Sequence, residues 1–172
     1  CGADEAKIEH GIACVRAVCD AARGHAKVFV DCHWRFDLPT AVRVLDALAE
    51  AGIAWYECPI TEANHDALIA LRSRANAKDI VLAGAEMMVE VEGFMPLFKR
   101  GVYDVVMPDV KYCGGIGPLL RIADAAKKAG VRIAPHNPTG PICNFASVHA
   151  CIAHSALDLL EYGTGLGKIR PQ

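Results

Sequence analysis

The sequence has no long hydrophobic run. Its longest apolar segments, VFV at 28–30 and IVLAGA at 80–85, fall far short of the roughly 18 residues that mark a membrane helix, so no membrane partner is expected. It has no CxxC pair either, although eight cysteines (1, 14, 19, 32, 58, 113, 143 and 151) are scattered along it. Several lie in apolar segments where a thiol behaves as a small hydrophobe, which points to reduced cysteines in a cytoplasmic compartment rather than a disulfide frame or zinc site. Missing too is any Lys/Arg block. With 18 basic and 20 acidic residues and a net charge of -2, nothing resembles the footprint of a nucleic-acid binder, and a small-molecule ligand is expected instead. What is present is a globular chain. Its 172 residues are 53% hydrophobic and 22% charged, with a mean hydropathy of +0.23; this composition excludes disorder, and the length suits one domain better than two.

Apolar residues recur at three- and four-residue steps over about 3–23, where Ile8, Ile12, Val15, Val18, Cys19 and Ala22 share a helical face. After that the chain alternates. The pattern predicts strands at 28–30, 53–56, 79–83, 103–107, 131–134 and 157–160, separated by helices at 39–51, 62–76, 90–100, 116–129 and 143–155. The strands are short unbroken apolar runs, as expected of parallel strands buried on both faces, and the helices supply the crossovers such a sheet needs. Pro39 suits a first helical turn, Thr61 precedes the helix beginning near Glu62, and Gly52, Gly101 and Gly130 stand where helices should end. The fold class is α/β.

Each apolar run is followed by an ionisable residue: Asp31, Glu57, Glu86, Asp109, His136 and Glu161, at intervals of 26, 29, 23, 27 and 25. Parallel strands bring such residues to one edge. An open doubly wound sheet would spread them along a line, whereas a closed barrel gathers them into a ring where they can meet on one ligand. Five carboxylates and an imidazole around one cavity would repel unless a cation sat among them. Asp31, Glu57 and Glu86 on consecutive strands offer three oxygen ligands, which suits Mg²⁺. Any one of them could merely cap the next helix; three in order are harder to explain that way.

Asp109 and His136 end the next two strands, and a carboxylate beside an imidazole fixes its tautomer and makes it a better base. His33 lies two residues beyond Asp31 and, if the strand continues that far, points to the same side as a candidate general acid. Lys111 could meet a substrate carboxylate or be an ordinary surface lysine. Gly114 and Gly115 suit a tight turn before the next helix, though their backbone could also meet an anion. The HNPTGP segment at 136–141 either shapes a pocket or simply forms a rigid turn.

These residues resemble the enolase superfamily in its mandelate racemase and muconate lactonising branch. The pieces are VDCH at 30–33, ECP at 57–59, GAE at 84–86, MPDVKYCGGI at 107–116, APHNPTGP at 134–141 and a closing LLE at 159–161, in the family's order. The resemblance implies Mg²⁺ on Asp31, Glu57 and Glu86, a general-base dyad of Asp109 and His136, and a substrate hydrogen bond from Glu161. Asp-x-His at 31–33 with PHNPTGP looks most like acid-sugar dehydratases of the galactonate type, in which the histidine after the first metal ligand protonates the departing hydroxyl. A racemase or epimerase of the same branch is the alternative; those carry a Lys-x-Lys on the strand before the Asp31 strand, which this chain does not contain. The resemblance further implies a partial TIM (β/α)8 barrel, about strands three to eight, without the capping domain and first strands. The substrate would then be a small sugar acid, the parent protein is expected to be a homo-oligomer, and the isolated chain to be a fragment whose own activity is open.

Overall fold

The computed structural model describes residues 4–157 and 159–163. In it six helices alternate with five strands: α1(Glu5–Ala22), β1(Phe29–Asp31), α2(Leu38–Ala51), β2(Trp55–Glu57), α3(His65–Asn76), β3(Val81–Gly84), α4(Glu90–Arg100), β4(Val105–Val106), α5(Ile116–Ala129), β5(Arg132–Ile133) and α6(Pro141–Ala153). The chain divides into two compact units, one running to Gly84 and including Val102–Asp104, the other formed by Ala85–Gly101 and the residues from Val105 onward.

In the first unit β1, β2 and β3 pair in parallel, with Asp31 opposite Glu57 and Glu57 opposite Ala83. Every residue of β2 is buried and β3 is nearly so, whereas β1, expected to be buried on both faces, exposes Phe29 and Asp31. α2 shows why the sequence signals worked. Asp37 Oδ1 accepts the Thr40 N–H at 3.0 Å, Pro39 lies in the first turn, and Gly52 ends the helix in the left-handed conformation at φ 86°, as a C-terminal glycine should. Its inner face buries Ala41, Val44, Leu45 and Leu48, and the Tyr56 hydroxyl donates to the Ala41 carbonyl at 3.0 Å. Gly84 is required by close approach, because a Cβ there would stand 2.9 Å from three atoms of the Tyr103 ring and hydroxyl. Asp104 ties its segment to β3: Oδ2 accepts the Leu82 N–H at 2.8 Å, and Oδ1 meets Arg72 Nε at 2.6 Å.

In the second unit β4 and β5 pair in parallel, Val105 with Arg132 and Val106 with Ile133. α4 and α5 supply apolar faces of Phe94, Leu97 and Phe98 and of Leu119, Ile122, Ala123 and Ala126. Gly101 and Gly130 end these helices at φ 62° and 70°.

Several expectations change. The helix expected after Thr61 starts at His65, because Asn64, not Thr61, supplies the cap by accepting the Ala67 N–H at 3.0 Å. The runs 103–107 and 131–134 shrink to two-residue strands. The strand expected at 157–160 is reduced to one parallel bridge between Leu157 and Ile133, and Asp158 within it lies outside the described residues. β1 ends at Asp31, so the strand does not continue to His33. Among the described residues no helix is long and apolar enough to cross a membrane, and none of the seven described cysteines is in a disulfide.

Candidate functional site

The first unit carries Asp31 and Glu57 side by side at the ends of β1 and β2. The turns that follow are stitched by the Cys32 N–H donating to the Glu57 carbonyl at 3.0 Å, the Trp34 N–H to the Cys58 carbonyl at 2.6 Å, and the Cys58 N–H to the Ala83 carbonyl at 3.0 Å. Asp31 Oδ1 accepts the His33 N–H at 2.9 Å, closing a tight turn that takes His33 and Trp34 into left-handed conformations at φ 52° and 56°. His33 is therefore a turn residue rather than a strand residue, which corrects the expected orientation. Its ring is exposed and packs edge-on against Trp34 with centroids 4.9 Å apart.

Glu57 is buried, and its Oε2 accepts the Trp55 indole N–H at 2.8 Å, two residues back on the same strand face. One carboxylate oxygen each from Asp31 and Glu57, together with Cys58 Sγ, lie within 4.8 Å of one another. Two converging carboxylates are the donors a hard dication takes, so this pair fits Mg²⁺. The third expected ligand, Glu86, is on the second unit.

There, Asp109 is fully buried. Its Oδ2 is 2.8 Å from His136 Nδ1, and its Oδ1 accepts the Lys111 N–H at 2.7 Å. A carboxylate can only accept, so Nδ1 carries a proton, and in the neutral ring Nε2 presents the lone pair. Burial disfavours charge on both groups. The hydrogen bond to His136 and the contacts from Lys111 outweigh it for Asp109, whose carboxyl is held below the usual range. For His136 the Asp109 hydrogen bond and the charges of Glu86, Glu161 and Asp109 outweigh burial and raise the imidazole above its ordinary value. The two directions agree: each stabilises the other's charge. Glu86 is buried, with Oε1 3.7 Å from His136 Nε2.

Lys111 is neither idle nor free, since Nζ stands 3.3 Å from Asp109 Oδ2 and 4.4 Å over the Tyr112 ring. Glu161 Oε2 accepts the Asn137 N–H at 2.8 Å, and its carbonyl accepts from Asn137 Nδ2 at 3.0 Å, which fixes Glu161 against the HNPTGP loop. Gly114 and Gly115 form the turn into α5 at φ 102° and 108°, with the Gly115 N–H donating to the Val110 carbonyl at 2.8 Å. Trp55, Cys58, Asn137 and Cys143 were not singled out from the sequence. Trp55 was legible from its two-residue spacing to Glu57; Cys143, whose Sγ is 4.0 Å from Asp109 Oδ1, left no such signal.

A family model described as "Enolase C-terminal domain-like" matches residues 2–169. A D-xylonate dehydratase of Haloferax volcanii is 30% identical over 156 residues, covering 91% of this chain and 37% of that protein. A D-galactonate dehydratase of Variovorax paradoxus is 30% identical over 162 residues, covering 92% of this chain and 41% of that protein. Among solved structures, a mandelate racemase/muconate lactonizing enzyme-like protein from Rubrobacter xylanophilus superimposes with a TM-score of 0.85 at 34% identity, covering 94% of this chain and 41% of that one. The chain thus spans about two fifths of the length of these relatives.

Proposed function

Because the chain belongs to the enolase C-terminal domain-like family, we propose that it carries the catalytic residues of an acid-sugar dehydratase, which removes the proton α to a carboxylate and expels the β-hydroxyl as water to give a 2-keto-3-deoxy acid. The observation that carries this reading is the Asp109–His136 hydrogen bond, 2.8 Å long and anchored on a fully buried carboxylate. Dehydratases of sugar acids among the relatives support the substrate class.

Asp31, Glu57 and Glu86 would hold Mg²⁺. When bound, the ion supplies positive charge that offsets the negative charge building on the substrate carboxylate as the α-proton leaves. His136 Nε2 accepts that proton. The imidazolium so formed keeps its Nδ1–H on Asp109, and the buried carboxylate stabilises it without itself taking the proton. Burial of Asp109 keeps bulk water from competing for its carboxylate, and the hydrogen bond from that carboxylate helps hold the half-buried imidazole above its ordinary value, which makes it a stronger base. Hydroxide leaves poorly, so a second group must protonate it; His33, exposed in the turn after β1, takes that part. Glu161, held by Asn137, hydrogen-bonds the substrate.

Exchange of the α-proton with solvent deuterium separates these assignments. His136→Asn should abolish both exchange and product formation, whereas His33→Asn should preserve exchange and slow dehydration by about 10²- to 10⁴-fold, the usual worth of a positioned acid. Loss of exchange in His33→Asn with unchanged Mg²⁺ affinity would remove His33 from the acid role and leave a racemase or epimerase as the better reading.

A further inference from the structure

We propose that the outer face of α4 is a two-fold interface with a second copy of this chain, in which the two α4 helices pack antiparallel. The interface does not depend on the dehydratase reading.

α4 buries Phe94, Leu97 and Phe98. The opposite face carries Glu92, Met95, Pro96 and Lys99, all exposed, at the three-, four- and seven-residue offsets that form one stripe down a helix. The stripe is apolar at its centre and oppositely charged at its ends. Met95 leaves 48% of its surface exposed, and Pro96 is a proline inside the helix. Among the described residues neither Glu92 nor Lys99 is in an ion pair. About 10.5 Å of helix rise separates the two, beyond the three- and four-residue spacing at which charges meet along one helix.

A two-fold contact sets one residue of the first copy on a second residue of the other, and the reverse. Antiparallel pairing about an axis between Met95 and Pro96 therefore sets Glu92 of each copy on Lys99 of the other, giving two ion pairs around an apolar centre. Parallel pairing would oppose like charges, so charge complementarity selects the direction. Pro96 adds to the match. It has no N–H for the Glu92 carbonyl four residues back, so an arriving ammonium finds a carbonyl as well as a carboxylate there. Beside the stripe, α4 and α5 enclose a groove of about 650 Å³, apolar where Met95, Phe98 and Ala125 line it and positive where Lys99, Arg121 and Lys128 do. Asp124 also lines it, but that carboxylate is engaged by His154 Nε2 at 3.1 Å. The groove thus suits an apolar side chain with a carboxylate beside it, which is what Met95 and Glu92 of a second copy present.

The test is sedimentation equilibrium at low and high salt. The unsubstituted protein should dimerise, and more weakly in high salt, because exposed ion pairs are screened. Glu92→Lys and Lys99→Glu each turn both attractions into repulsions and should raise the dimer dissociation constant at least about tenfold. An equimolar mixture of the two single variants should recover the dimer, since each copy then meets its opposite charge, and so should the double variant. A monomeric unsubstituted protein overturns the proposal. So do single variants that dimerise as tightly as the unsubstituted protein, or a loss that neither mixing nor the double exchange reverses. Should either single variant fail to fold, Met95→Lys decides in its place: it sets like charges across the axis, and an unchanged dissociation constant overturns the proposal.

Discussion

Asp109→Asn probes the centre of the proposed base with little change in shape. The carboxylate accepts from His136 Nδ1 at 2.8 Å and from the Lys111 N–H at 2.7 Å. Hydrogen bonds to a charged group contribute about 1.5–3 kcal/mol and neutral ones about 0.5–1.5 kcal/mol, so weakening both removes about 2–3 kcal/mol. The buried amide costs less to desolvate than the carboxylate, which returns part of that loss. A net destabilisation of about 1–2 kcal/mol lowers Tm by about 2–8 °C in a domain of this size. The effect on chemistry should be far larger. If the amide oxygen keeps the Lys111 N–H, its NH₂ faces Nδ1, and the ring proton must move to Nε2, where the base lone pair should be. Deuterium exchange at the substrate α-carbon should then fall by about 10²- to 10⁴-fold. Calorimetry and exchange measured on the same preparation test both parts. Undiminished exchange in a folded Asp109→Asn protein would refute the claim that Asp109 sets the tautomer of the base.

Three other outcomes follow from the geometry. Gly84→Ala, which sets a Cβ 2.9 Å from Tyr103, should destabilise by about 1–3 kcal/mol as overpacking does, and an unchanged Tm would contradict the close approach. Asp46, held below its ordinary value by the hydrogen bond and charge of Arg74 and by Lys78, contributes stability that is present above the unfolded carboxyl value of about 3.9 and lost as pH falls through the lower native value. The Tm gap between the unsubstituted protein and Asp46→Asn should therefore close in acid, and a gap independent of pH would refute it. Trp55→Phe removes the indole donor from Glu57 and should weaken Mg²⁺ binding by about tenfold, as loss of a supporting hydrogen bond does; calorimetric titration showing equal affinity would assign Trp55 to packing alone.

How much of this was legible depended on the kind of signal. α4 and α5 run over the spans expected from periodicity and terminal glycine, because both signals are local. A rule equally local, a polar residue after an apolar run, found Asp31 and Glu57 at the ends of β1 and β2; Glu86, Asp109 and His136, expected to end strands, lie in the loops just beyond β3, β4 and β5, yet Asp109 still pairs with His136 as their order implied. What failed depended on partners. The runs expected as β4 and β5 are longer in sequence than in the structure, since apolar residues stay buried beyond the paired segment. His33 was placed by strand alternation, but the Asp31 carboxylate captures its N–H and ends the strand. Asn64 displaced Thr61 as a cap because only its side chain reaches the N–H three residues on.

The same competition bears on backbone strain at the strand ends. Among the described residues with a Cβ, Asp79 and Glu90 adopt positive φ before β3 and at the start of α4, while His33, Trp34, Cys58 and Ala85 do so after the ends of β1, β2 and β3. This state costs about 1–2 kcal/mol for a residue with a Cβ. Glycine would remove the cost at each. Folding alone gives no reason to place four larger residues there, and strain of this kind persists only where surrounding contacts impose it. Here the contacts are hydrogen bonds made by the turns themselves: the Trp34 N–H to the Cys58 carbonyl, the Cys58 N–H to the Ala83 carbonyl, and the His33 N–H to Asp31 Oδ1. Each fixes the residue beside a carboxylate rather than the helix that follows. The strained turns are therefore best understood as holding Asp31 and Glu57 in position, so that relieving the strain with glycine should loosen the carboxylates even where it leaves the fold intact.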